Sequence, residues 1–251
     1  MLSASVSGDI FASPSARQVL SAIRLGTADH RLESSNEQED RASKTLDALL
    51  IVNNYTGDRL NFGLAAERAL SEGIRVESVI VADDVSLLSR PSLVGARGLA
   101  GNIIVCKILG AAAAKGMVLE ELKRLGDAVV GSLKSVGASL DHCHVPGRPI
   151  SKEDGAVGEG EYELGMGLHN EPGVKRLSLE SGERMVEQML DLVLKASCGI
   201  VSNQETKSVP ATIELRKDTT VLYVNNLGGV SQLEMGAVVD EVVSQLGVST
   251  S

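Results

Sequence analysis

The chain has 251 residues, 43% of them hydrophobic, enough for one large or two small domains around an aliphatic core, since aromatic residues make up 2% and tryptophan is absent. With 24 lysine and arginine residues against 33 aspartate and glutamate, the formal net charge of −9 opposes attraction to phosphate backbones and anionic membranes, so neither nucleic acid nor a membrane is expected as a partner. Cys106, Cys143 and Cys198 are widely spaced as reduced thiols are, MLSASVSGDIF lacks the basic and apolar regions of a secretory leader, and no apolar run reaches the about 18 residues of a membrane span, so the cytosol is the expected location.

In chain order, residues 27–44 are polar and charged and predict a surface loop. Residues 46–52 form an apolar run that predicts a strand, 53–58 a turn, and 60–72 a helix stopped by Gly73, with Phe62, Ala66, Ala69 and Leu70 on its packing face. A strand over 76–81 completes a βαβ unit. Helices over 102–115 and 119–136 and a strand over 138–144 follow. Residues 146–159 are rich in glycine, proline and charge and predict a linker or hinge. Beyond it, Tyr162, Leu164, Met166 and Leu168 alternate with Glu161, Glu163, Gly165 and Gly167, the two-residue period of a half-buried strand. Then come a turn at Asn170-Glu171-Pro172-Gly173, a helix over 181–194, a strand over 220–224 and a helix over 231–246. Alternating strands and helices imply an α/β fold with a mostly parallel or mixed sheet, in two lobes: residues 1–145, a linker at 146–160, and 161–251.

His169 falls where a strand becomes a loop, the place where open α/β sheets collect ligands, and equally a place for a structural histidine beside a turn. Asp58 sits at a strand-to-helix turn, suited either to a catalytic base or to an N-cap. His142 and His144 would share one face of a strand, but no companion ligand has the spacing of a closed zinc site, so no metal site is expected. Residues 97–101, RGLAG, precede a helix whose N-terminus could receive an anion, without the lysine and Ser/Thr of a P-loop. IVNNYTGDRLNFGLA and YVNNLGGVSQLEMGA both run strand, Asn-Asn, glycine-containing turn, helix, and Asn225, Asn226, Gly228 and Gly229 are expected to shape the second turn.

ELGMGLHNEPGVKR, residues 163–176, resembles the G-x-G-I-H-G-E-P-G signature of the dihydroxyacetone kinase family's substrate-binding subunit, with Asn170 in place of a glycine. DIFASPSARQVLSAIR from Asp9, LLIVNNYTGDRLNFGLAAE from Leu49, ARGLAGNIIVCKILGAAAAKG from Ala96 and VNNLGGVSQLEMG from Val224 resemble the same family in the same order. The resemblance, closest in style to eukaryotic triokinase/FMN cyclases, implies the family's two-lobed α/β fold and a role in glycerol and triose catabolism. It implies that His169 adds to the carbonyl of dihydroxyacetone as a covalent hemiaminal, which selects a ketone over glycerol. Asp58 would contact the substrate and assist proton removal from its hydroxyl, and Asn53 would replace a frequent lysine as an uncharged substrate contact. ATP and Mg²⁺ would be carried by a separate helical nucleotide-binding domain rather than by this chain, and a homodimer is expected. The family pattern opens with a G-G-G-S-G-H-E-P loop upstream of the segment that Met1-Leu2-Ser3-Ala4 resembles, and continues beyond Leu246, so truncation at both ends is expected. Without that loop, a non-catalytic regulatory or scaffold homologue that retains the fold is the alternative. The 27–44 loop departs from the family pattern.

Overall fold

Alternation along two apolar runs builds the first half of the fold. In a computed structural model, which describes residues 2–33, 46–87, 95–147, 157–197 and 220–247, these runs become β1 (Leu46–Asn53) and β2 (Ile74–Val81), paired in parallel from Leu46 opposite Ile74 to Asn53 opposite Val81. Successive side chains of a strand point to opposite faces. Leu46, Ala48, Leu50, Ile74 and Val76 accordingly pack with α1 (Ala16–Glu33) and α2 (Thr56–Ser71), through Val19, Leu20, Ile23, Phe62, Ala65 and Ala69. Leu49, Ile51, Val79 and Val81 pack with α3 (Gly101–Ala114) and α4 (Leu119–Ser132), through Val105, Leu109 and Leu122. Both faces of the pair are covered, as parallel strands require.

Three expectations need correction here. α2 begins at Thr56, one turn earlier than expected, and its packing face is Phe62, Ala65 and Ala69, so Leu70 is left exposed. α1 runs through Thr27 to Glu33, into the stretch read as loop, because the Thr27 hydroxyl donates to the Ile23 carbonyl and the side chain is buried. Residues 34–45 lie outside the described set. The start of α1 is secured from a distance: the Ala16 amide donates to Asn61 Oδ1 on α2 at 3.0 Å, and Asn61 Nδ2 donates to the Gly57 carbonyl.

The chain divides into two units, Met1–Asp83 with Ser92–Leu133, and Asp84–Pro91 with Lys134–Ser251. In the second, β3 (Ala138–Ser139), β4 (Glu161–Leu164) and β5 (Lys175–Ser178) form an antiparallel sheet in that order, followed by α5 (Gly182–Ser197) and α6 (Gln232–Gln245). Tyr162 is buried on β4 and its hydroxyl donates to Gln188 Oε1 on α5 at 2.5 Å, so one residue anchors the sheet to its helix. α6 opens with a capping box in which Ser231 and Glu234 satisfy each other's backbone amides.

The expected strand over 138–144 survives only as Ala138–Ser139, and the one expected through Leu168 ends at Leu164. Gly165 stops it, with a φ of 79° and its α-carbon so close to Ser86 that a β-carbon would lie 2.6 Å from Ser86 Cβ. Residues 220–224 are not assigned to a strand, and Val221 is 78% exposed. The turn after them is as expected: Asn226 Oδ1 accepts from the Gly228 amide, and Gly228 and Gly229 both take positive φ. The linker expected at 146–159 falls largely on residues outside the described set.

Gly126 on α4 shows how tightly helix and strand approach, since a β-carbon there would sit 2.4 Å from Val79 Cγ2 and 3.0 Å from Leu109 Cδ1. Gly126→Ala is expected to destabilise by about 1–3 kcal/mol through overpacking. Gly63→Ala at the centre of α2, where nothing lies within 4 Å, should instead stabilise by about 0.5–1 kcal/mol. Denaturant midpoints of the two variants moving in the same direction would contradict this packing.

Candidate functional site

The carboxyl ends of β1 and β2 carry one set of expected residues. Asn53 is the last residue of β1, and its Oδ1 is buried with no hydrogen-bond partner among the described residues. The chain cannot continue as a strand beyond it, because the Asn54 side chain is stapled across to the Ala96 carbonyl by a 2.6 Å hydrogen bond while its amide reaches the Val81 carbonyl at 2.9 Å. Tyr55 then serves as N-cap of α2 with extended backbone and no side-chain capping bond. The N-cap reading of Asp58 is therefore corrected: Asp58 lies inside the first turn of α2, half-buried, with no hydrogen bond among the described residues. A carboxylate there is favoured by the unpaired amides of the helix start.

The helix start after residues 97–101, which could have received an anion, is filled by the protein itself. Asp83, 1% exposed, accepts from the Leu99 amide at 2.7 Å and from the Gly101 amide at 2.9 Å, so the start of α3 already holds a carboxylate. Gly101 permits the approach, since a β-carbon there would lie 2.5 Å from Asp83 Oδ2.

His169 belongs to the second unit, on the loop from Gly165 to Gly173 between β4 and β5. Its side chain is 34% exposed and is held by one carboxylate at two points: Glu171 Oε1 lies 2.9 Å from His169 Nδ1, and Glu171 Oε2 accepts from the His169 backbone amide at 3.0 Å. Partial burial pushes the Glu171 carboxyl up, but the hydrogen bonds from the His169 ring and amide outweigh it and hold the group below the usual glutamate range. The intervening Asn170 makes this fold-back possible with a φ of 61°, the left-handed region open to glycine and tolerated by asparagine. Its amide pairs with the backbone of Cys143, accepting from the nitrogen at 2.9 Å and donating to the oxygen at 2.8 Å.

Beneath the loop lies Glu163, with a side chain 7% exposed. It accepts from the Gly173 amide at 2.6 Å, meets His142 Nε2 at 3.1 Å, and takes a weaker contact from Arg176 at 3.4 Å. Burial raises the Glu163 carboxyl, and these three partners more than reverse that, leaving it below the ordinary range. The shared face expected for His142 and His144 is not formed. Past Ser139 the chain leaves the sheet, and His144 turns to Asp141 at 3.2 Å while His142 goes to Glu163.

Sequence reading missed Glu171, although it stands two residues from His169 inside the turn; the signal was the carboxylate followed by Pro172, set beyond a residue that must take positive φ. Asn53 and Asp58 are brought together on one strand-turn-helix of the first unit, while His169 stands on the second.

The Dak1 domain family matches residues 1–250. Dihydroxyacetone kinase 2 of Saccharomyces cerevisiae is 43% identical over 247 residues, covering 98% of this chain and 37% of that protein. The triokinase/FMN cyclase of Rattus norvegicus is 39% identical over 246 residues, with 98% and 38% covered. The crystal structure of the dihydroxyacetone kinase from C. freundii in complex with AMP-PNP and Mg²⁺ superposes with a TM-score of 0.70 at 35% identity, over 94% of this chain and 37% of that one. The chain belongs to the Dak1 domain family, and its mixed α/β fold is that of the dihydroxyacetone kinases. It spans less than two fifths of the length of these relatives.

Two outcomes follow from the loop geometry. Asn170→Ala, which loses both bonds to Cys143 and strains a positive φ, is expected to cost about 1–3 kcal/mol in denaturant unfolding. Asn170→Gly should keep the loop path yet speed hydrogen exchange at the Cys143 amide; unchanged exchange would contradict the pairing. For Glu163, a folded pKa below the unfolded one gives stability that is present above the unfolded value of about 4.3 and lost as pH falls through the folded value. Glu163→Gln should be less stable at neutral pH and lose less further stability on acidification than the unsubstituted protein, as read from unfolding midpoints.

Proposed function

We propose that this domain captures dihydroxyacetone, or a triose ketone like it, as a covalent hemiaminal on His169 and presents it for phosphorylation. The observation that carries this reading is the histidine itself: a half-exposed imidazole at a loop tip, oriented by a carboxylate, within a Dak1 domain. An imidazole nitrogen lone pair adds to an electrophilic ketone carbon, and glycerol, with no carbonyl, has nothing to trap. Asp58 serves as the base that takes the proton of the hydroxyl to be phosphorylated, supported by its seat in the first turn of α2 without a hydrogen bond among the described residues. Asn53, with its unpaired buried oxygen, accepts from a substrate hydroxyl.

The phosphoryl donor in this reading is ATP with Mg²⁺, carried by a helical nucleotide-binding partner domain. The start of α3, the helix start in this chain that could receive an anion, already holds the Asp83 carboxylate. A homodimer and a cytosolic location belong to the same proposal; among the described residues no helix is long and apolar enough to cross a membrane.

Carbon-13 NMR with dihydroxyacetone labelled at its carbonyl tests the capture. The ketone signal should be replaced in part by a tetrahedral carbon signal on adding protein, and His169→Ala should abolish the change. A ketone resonance unaltered by the unsubstituted protein would end the proposal.

A further inference from the structure

We infer that Glu171 is a positioning residue for His169, fixing the ring proton on Nδ1 so that the lone pair of the neutral imidazole lies on Nε2, and accepting that proton once Nε2 has bonded to carbon. The inference rests on the hemiaminal reading for its chemistry, but its structural part stands on the geometry of the loop. A carboxylate accepts hydrogen bonds and donates none when ionised, so a ring nitrogen 2.9 Å from Glu171 Oε1 must be the protonated one. The second oxygen is occupied by the His169 amide at 3.0 Å, which prevents the carboxylate from rotating away from the ring. The hydrogen bonds that keep this carboxyl below the usual range ensure that it is ionised at neutral pH.

The balance of the addition shows why such a group is needed. The Nε2 lone pair forms the new C–N bond, the carbonyl π pair moves to oxygen, and that oxygen takes a proton from solvent. The ring is then a cation, because Nε2 carries three bonds to heavy atoms while Nδ1 keeps its hydrogen. A neutral hemiaminal forms only when the Nδ1 proton leaves. Glu171 takes it and passes it to solvent, so one proton enters, one departs, and no oxidant or further reactant is involved. The cation that exists meanwhile faces a carboxylate along an existing hydrogen bond, an arrangement that is in place before the ketone arrives.

Glu171→Gln separates this role from a merely structural one. The glutamine amide nitrogen can donate to Nδ1, which would move the ring proton to Nε2 and remove its lone pair. Nitrogen-15 NMR of the His169 ring in ligand-free protein is the primary measurement: the unsubstituted protein should show a protonated Nδ1 and an unprotonated Nε2, and the variant should lose that pattern. The rate of hemiaminal formation, followed with carbonyl-labelled dihydroxyacetone, should fall about 10²- to 10⁴-fold in the variant, the range for losing a general base or a tautomer-setting carboxylate. A protonated Nε2 in the unsubstituted protein overturns the inference without any variant being needed. So does a folded Glu171→Gln protein with an unchanged ring and an unchanged rate. If the unsubstituted protein shows the Nδ1 tautomer yet traps no ketone, the tautomer assignment stands while the hemiaminal reading and the proton-acceptor step fall.

Discussion

Glu163 has to keep its carboxylate charged with 7% of its side chain exposed, and removing a charge from water costs several kcal/mol unless hydrogen bonds replace the lost hydration. The second unit is arranged around meeting that requirement. One oxygen needs an amide, which fixes Gly173 and hence the far end of the loop. The other needs cationic or ring donors, which draws in Arg176 from β5 and His142 from the segment after β3. Glycine at 173 is part of the solution, since a β-carbon there would sit 2.4 Å from the Leu164 carbonyl oxygen and 2.8 Å from Glu163 Cγ. The loop bearing His169 is thus closed at its base by a charge that cannot be left unsatisfied.

The first unit solves a related problem with Asp83, whose buried carboxylate is neutralised by the amides at the start of α3 rather than by side chains. In both units a buried acid organises loops close to the residues assigned function. Asp83 fixes the entry to α3, and Asn54 fixes the turn that carries Asn53 and Asp58.

How much of this the sequence revealed depended on whether the stabilising partner was local. β1 and β2 were legible because both faces are covered by helices and the strands read as apolar runs. α1 was missed although Ser15 and Gln18, three apart, satisfy each other's backbone amides as a local cap does; only the tie from the Ala16 amide to Asn61, 45 positions away, has no linear signal. β5, Lys-Arg-Leu-Ser, has no apolar alternation to detect and exists by pairing with β4. The strand through Leu168 was read too long because the alternation of Met166 and Leu168 continues past Gly165, where the backbone turns. His169, Asp58 and Asn53 came from motif likeness and Glu171 did not, because its contact depends on the left-handed turn at Asn170, which a linear reading does not draw.

The amide of Asn170 copies the donor and acceptor spacing of a backbone, and through Cys143 it ties the loop tip to the segment after β3. Together with the double grip of Glu171 on ring and amide, it leaves the imidazole few conformations to surrender when a small ligand arrives. Ordering a rotamer-rich side chain on binding typically costs about 0.5–1.5 kcal/mol, a large share of what a molecule with six heavy atoms can supply. Rigidity built in during folding would spare a small ligand of His169 most of that ordering cost.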